Sequence, residues 1–481
     1  MDKQQLSAFI DARSALLTDV SDSIWDYAET AFEEYKSMAL LTAILEKHGF
    51  AVERGAGGIE TAFTATFGEG KPVIGILAEY DALSGMSQKA GSSTKQELAH
   101  NGNGHGCGHN LFAAASLGAA LGVARYLAEN SLPGTVKFFG CPGEEGGSGK
   151  AFMAREGVFD EVDAALAWHP MAVHNIFDNS MLANYQVLYK FKGVSAHAAA
   201  APHKGRSALD AVELMNVGVN YLREHVIQEA RIHYAITNTG GFSPNVVQAN
   251  ADVLYLIRAP RTPQVEEIYR RINKIAQGAA LMTETEVEIE FIKACANVVP
   301  NKTLSKVLYA NFMAEPLPRY TEEEKAFASA IAATVPATTP DVERYLAPHA
   351  EEMRRYGEIL HGKSLCDVVF PFFENAPDFL LAGSSDVGDV SWNVPTAQIM
   401  TACYALGTPD HSWQLVSQGR TSIAHKGMLL AAKVLAGAAA DLFHSPGVIV
   451  DAKEELARRL DGHAYVCAIP PEVKPRPISK L

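Results

Sequence analysis

Apolar and polar positions change rhythm several times along the 481 residues, and each change marks a different kind of element. Across 5–50 the apolar residues recur at three- and four-residue spacing, which predicts two amphipathic helices with Glu29, Glu33 and Glu34 among their polar positions. Short apolar runs at 62–68 and 73–78 predict a pair of strands. The alanine-rich run 111–128 reads as a helix, 135–140 as a strand, and 162–168 as a buried strand closed by His169-Pro170. Alternation of this kind predicts a sheet covered by helices. The same style returns near the end, with a strand at 397–405 and a long helix from about Thr421. Its alanine-rich part, 428–442, is interrupted by Lys433 and reads as a buried helix, not a membrane span.

The middle of the chain follows a different pattern. A strand at 186–191 is followed by a helix from Ser207 to about Gln228, strands near 231–238 and 245–258, a helix over 263–281 and a strand at 286–292. Strand–helix–strand–strand–helix–strand is the ferredoxin-like order. The expectation is therefore an α/β protein with a mixed sheet in 1–183 and 297–481, interrupted by an inserted α+β domain at 184–296. The charged, proline-studded stretch 315–375 is expected to be an insertion of short helices.

Composition narrows the setting. A net charge of −14 without a long basic run argues against a nucleic-acid partner. No basic segment followed by an apolar core opens the chain, and no uninterrupted apolar run suggests a membrane partner. The six cysteines (107, 141, 295, 366, 403 and 467) show no paired framework, so a reducing compartment, the cytoplasm, is expected.

Candidate chemistry sits where the apolar runs stop. Gly-Cys-Pro-Gly-Glu144-Glu145-Gly-Gly follows the strand at 135–140. Two adjacent acids at a strand's carboxyl end can divide metal binding from proton transfer, although alone they would equally suit a solvated turn. Upstream, His105-Gly-Cys107-Gly-His109-Asn110 places a thiol and an imidazole two residues apart. In an extended segment these would project to one side and reach one metal. His169 ends another strand. Several ligand types gathered at strand ends favour a metal centre over scattered core residues.

Five motifs in order give the chain a wider likeness: Glu79-Tyr-Asp81-Ala-Leu, Cys107-Gly-His109, Glu144-Glu145 with His169, Gly193-Val-Ser-Ala-His197-Ala, and Gly407-Thr-Pro-Asp-His411. Together they resemble the dinuclear-metal aminoacylases, carboxypeptidases and amidohydrolases, and the Cys-Gly-His version resembles the amidohydrolase branch. The resemblance implies that Cys107, His109, Glu145, His169 and His411 hold two divalent ions (manganese or zinc), with Cys107 shared. It implies Glu144 as general base and Asp81 as a carboxylate orienting a ligand. It also implies that His197 reaches the site of a partner chain to stabilise an oxyanion, with Asn245 and Arg258 contacting substrate. Three departures stand out: Glu79 replaces a metal-binding His of the peptidase branch, Asn110 replaces an acid, and Trp413 replaces a proline.

The implied activity is metal-dependent hydrolysis of an N-acyl amino acid amide, with p-aminobenzoyl-glutamate leading and indole-acetyl- or benzoyl-amino acids as alternatives. The implied assembly is a homodimer or a heteromer with a paralogous chain, including the case of turnover only in the presence of that partner. Several residues are read without chemistry: His105 as support or packing, Cys141 as a small buried residue, and His203 and His425 as polar flanks. Asp386 and Asp389 either line the site or cap a loop, and Arg258 is either a carboxylate clamp or a surface arginine.

Overall fold

The computed structural model describes residues 1–335 and 341–477. Part of the 315–375 stretch, 336–340, therefore lies outside the described residues. Among the described residues thirteen strands form, in chain order: β1 Ala51–Arg54, β2 Phe63–Glu69, β3 Val73–Ala78, β4 Gly134–Gly140, β5 Ala164–Met171, β6 Asn175–Phe177, β7 Ser180–Met181, β8 Ala183–Lys192, β9 Arg231–Asn238, β10 Asn250–Ala259, β11 Glu286–Cys295, β12 Leu380–Leu381 and β13 Thr396–Ala402. A seven-stranded mixed sheet runs β1-β2-β4-β3-β5-β13-β6. Its centre, β4-β3-β5-β13, is parallel, and antiparallel strands flank it. All six residues of β3 are buried, as expected for a parallel strand covered on both faces.

The runs at 62–68 and 73–78 do form strands, but not a pair with one another. β4 lies between them, antiparallel to β2 and parallel to β3. Helices His109–Asn130 and Ser422–His444 pack on the sheet and on each other. Both are long and apolar enough to cross a membrane, yet most of each is buried within the protein. Gly118 lets them approach, because a Cβ there would stand 2.7 Å from Leu17 Cδ1 and 3.2 Å from Ala432 Cβ.

The amino-terminal segment contains three helices rather than two, Lys3–Asp11, Ser14–Tyr27 and Tyr35–Lys47. The break after the second falls at Ala28, which ends it in the left-handed conformation. Helices Lys302–Ala314, Glu322–Ala332, Asp341–Leu346 and Ala350–Leu360 occupy the region around the charged stretch. There Tyr345, Leu346 and Phe370 join Met171 and Met400 in a second apolar cluster beside the ends of β5 and β13.

The middle segment builds its own antiparallel sheet, β11-β8-β10-β9. In sequence terms this is the fourth, first, third and second strand of the unit. Helices Ala208–Leu222 and Thr262–Thr283 cover one face. The first is capped by Ser207, whose side chain accepts from the Asp210 N–H. It stops at Leu222 instead of Gln228, where the polar Arg223–His225 turn offers no further apolar stripe. β10 starts at Asn250, not 245, since 245–249 belong to a loop bridged to His197 through Val246.

Candidate metal centre and active site

The carboxyl ends of β3, β4, β5 and β13 point the same way, and the segments leaving them meet in one cavity. Parallel strands place side chains there because their ends open into a shared crevice. β3 leads into Glu79 and Asp81, β4 into Glu144 and Glu145, β5 carries His169, and the segment after β13 reaches His411. Cys107 and His109 arrive on the amino end of the helix His109–Asn130. They do not sit in an extended segment: Gly108 between them is left-handed (φ 78°), and a Cβ there would stand 1.9 Å from the Tyr404 hydroxyl. Glycine is thus needed for both conformation and space, and the turn, not strand alternation, brings thiol and imidazole together.

Five expected ligands converge. Potential donor atoms of Cys107, His109 and His169 lie within 4.8 Å of one another, and so do those of Cys107, Glu145 and His411. Cys107 belongs to both groups. Its Sγ is 3.4 Å from His169 Nε2, and His411 Nε2 is 3.0 Å from Glu145 Oε1. His411 adopts a left-handed backbone (φ 54°), uncommon for a non-glycine residue.

The surrounding shell orients these groups. His109 Nδ1 donates to Asp81 at 2.9 Å, while the other Asp81 oxygen accepts from the Glu145 N–H, also at 2.9 Å. Burial would raise Asp81, but its bonds to His109 and Glu145 hold it low. Burial likewise opposes charge on His109, yet Asp81 and Glu79 push that imidazole up to about 10. The field therefore favours positive charge where the ligands meet. His109 Nε2 and Glu145 Oε1 are buried, each with an oppositely charged neighbour, Glu79 at 3.1 Å and His411 at 3.0 Å, but neither contact is an aligned hydrogen bond. Buried polar atoms of this kind need a partner, and a thiol, imidazoles and a carboxylate suit a divalent cation.

Glu144 lies beside this cluster, with a carboxylate oxygen near His109 and Glu79. Burial and then the Glu79, Glu145 and Asp386 carboxylates raise it well above the ordinary range. Glu79 itself contacts Lys150 Nζ at 2.5 Å and His109 Nε2 at 3.1 Å. Lys150 also contacts Asp386 at 2.7 Å, and all three side chains are buried. Asp386 thus does line the cavity, but paired to Lys150, whereas Asp389 accepts from Tyr465 and from the Ala296 N–H. Lys150 is a buried residue beside the site that the sequence patterns do not single out. Its one signal is a lone Lys in an otherwise small-residue run after Glu144-Glu145.

The cavity has a volume of about 650 Å³ and is bounded by the candidate ligand cluster, the β8-β10-β11 sheet and Arg344-Tyr345. Arg258 lines it from β10. His197 and Asn245 do not: they occupy adjoining exposed loops, where the Asn245 carbonyl accepts from Ala198 and His197 Nδ1 accepts from Ala200. His105 is buried against the Ile24 carbonyl, and Asn110 binds Ser21 and the Gly419 carbonyl. Trp413 begins the helix Trp413–Gln418.

Comparison with known proteins agrees with this architecture. The sequence pattern described as Peptidase family M20/M25/M40 matches residues 75–354. One of the p-aminobenzoyl-glutamate hydrolase subunits of Escherichia coli (strain K12) is 51% identical over 99% of this chain and 100% of its own. The other, from the same organism, is 27% identical over 50% of this chain and 57% of its own. Among solved structures, an aminobenzoyl-glutamate utilization protein from Klebsiella pneumoniae shares the fold, with a TM-score of 0.58 at 18% identity, covering 91% of this chain and 98% of that one. The chain belongs to peptidase family M20/M25/M40 and is a hydrolase of that family.

Proposed function

We propose that the chain hydrolyses the amide bond of an N-acyl amino acid, first p-aminobenzoyl-glutamate, to the acyl acid and the free amino acid. That substrate would put the reaction in folate catabolism. The observation that carries this reading is the placement of Glu144 beside two ligand groups that share Cys107. Cys107, His109, Glu145, His169 and His411 would hold two divalent ions, manganese or zinc. When bound, such ions polarise an amide carbonyl and acidify water.

The protein's own residues supply the rest. Glu144, raised by burial, takes a proton from the attacking water and returns it to the departing nitrogen. Asp81 keeps the His109 ring oriented. Met171, Phe177, Phe379 and Leu381 offer an apolar wall for an aromatic acyl group, and Arg258 a cation for a carboxylate.

The assembly proposed is a dimer through the inserted domain, either of two copies or of this chain with a paralogue resembling the second Escherichia coli subunit. Support comes from its exposed apolar side chains, Tyr221 and Val217 on one helix and Tyr234 and Ile236 on the outer strand β9. In such a dimer His197 would serve the partner's site. A cytoplasmic location is also proposed, and all six cysteines are free.

The test is hydrolysis of p-aminobenzoyl-glutamate by the purified chain after chelation and refilling with manganese or zinc, with and without the paralogue. Turnover that metal restores is expected. Absence of turnover on any N-acyl amino acid, with the metals bound and the paralogue present, would overturn the reading.

A further inference from the structure

Three cationic side chains line the cavity and a fourth, Lys150, is buried against Asp386 of its wall; they divide into two kinds. Arg344 is paired with Asp410 at 2.9 Å, and Lys150 with Glu79 and Asp386. Arg258 and Lys293 are different: among the described residues neither forms a hydrogen bond or an ion pair, and Arg258 Nε is buried without a partner. Lys293 is only 6% exposed, yet it lines the cavity. Its ammonium therefore faces the cavity with no carboxylate paired to it, a place suited to an anion.

The local backbone explains how Lys293 reaches this face. Along β11, Glu286, Glu288 and Glu290 lie opposite Lys192, Lys190 and Leu188 of β8, on the face away from the helices. Regular alternation would then turn Lys293 to the other face. The register instead shifts between Phe291 and Lys293, so that Lys293 pairs with Gln186 and Cys295 with Asn184. An extra residue in one strand re-aims the side chains after it, and here it delivers Lys293 and Cys295 to the cavity. Arg258 lies opposite Asn184 in β8, two residues from Gln186, so the two cations share one face with β8 between them, about 7 Å apart along the strands and about 10 Å across them. Arg258 is close enough to Glu144 to feel its charge.

We infer that Arg258 and Lys293 form a dicarboxylate clamp that selects acidic amino acids. Arg258 takes the α-carboxylate next to the scissile nitrogen, and Lys293 takes the side-chain carboxylate of a glutamyl residue. This assignment deepens the proposed amidohydrolase reading and rests on it. It makes Lys293 a specificity-determining residue, and an N-acyl derivative of a neutral amino acid leaves its ammonium unanswered.

The experiment compares kcat/KM for p-aminobenzoyl-glutamate and p-aminobenzoyl-glutamine in the metal-loaded wild type, Lys293→Met and Lys293→Arg, each checked for folding by thermal melting. The wild type should prefer the glutamate compound. Lys293→Met should lose on the order of 30-fold or more on that compound, mainly through KM, and the preference should collapse. Lys293→Arg should retain most of it. An equal loss on both substrates, or no wild-type preference, would overturn the clamp. Should the wild type cleave neither compound, the activity reading fails separately. The clamp is then judged by calorimetric binding of glutarate, which Lys293→Arg should weaken slightly and Lys293→Met strongly. Equal binding by all three proteins would overturn it.

Discussion

Cys107 Sγ stands 3.4 Å from His169 Nε2, although 62 residues separate them in the chain. Burial, and then the carboxylates of Glu145 and Glu144, push the Cys107 thiol well above its ordinary range. A cation taken up between these groups must therefore displace the thiol proton. Raising the pH removes that competition, and because His109, pushed up to about 10, must also give up a proton, affinity should climb about tenfold per pH unit for each of these two protons between roughly pH 6 and 8. Zinc titration against a competing chelator measures the slope. Cys107→Ser should bind more weakly with a shallower slope, and a flat wild-type profile would exclude the thiol as a ligand.

Glu144 touches the ligand cluster without completing either group that contains Cys107. Glu144→Gln should retain its metal, measured by elemental analysis, and lose about 10²- to 10⁴-fold in kcat. Wild-type turnover in this variant would remove Glu144 from proton transfer.

His197 is exposed and lies outside the cavity of its own chain. Under the proposed dimer, Glu144→Gln and His197→Ala chains are each inactive alone but complementary when mixed. A mixed dimer pairs an intact Glu144 site with an intact His197 from the other chain. Recovery of activity on mixing is expected, and its absence would argue that His197 acts elsewhere.

Lys150 is fully buried between Glu79 and Asp386. Lys150→Met leaves two buried carboxylates facing each other and should cost about 3–5 kcal/mol of stability. Chemical denaturation measures this, and a loss within error would mean that the pair is not held as described.

His174 supplies a stability test away from the metal cluster. Its Nδ1 accepts from the Ala402 N–H at 3.1 Å, and burial depresses the ring to about 3. The folded value thus lies below the unfolded one, so the unfolded chain takes up this proton first as pH falls. The stabilising contribution is complete above about pH 6.5 and is lost toward pH 3, the loss reaching about 2 kcal/mol by pH 5. His174→Asn keeps an acceptor and should flatten that part of the stability profile. An unchanged slope would contradict the assignment.

Much of the site was legible because its residues follow strand grammar. Glu144-Glu145 after β4 and His169 within β5 stand where apolar runs end, and parallel strands gather such ends. The α/β class and the order of the inserted unit were visible in the same way, from alternation and turn residues. The extended geometry expected for Cys107 and His109 was incorrect, because Gly108 between them permits a left-handed turn as readily as a strand.

What the chain determines by itself is local: which segments are apolar enough to be strands and helices, and which acids, thiol and imidazoles terminate them. Tertiary structure alone decided that β4 separates β2 from β3, that Lys150 answers Glu79 and Asp386, and that Arg258 lines the cavity while Asn245 stays outside. It also decided which way Lys293 faces, through a single shifted residue in β11. Hydrophobic periodicity encodes the face an element buries, but pairing between distant strands and the partner of a buried charge depend on contacts that no local window contains.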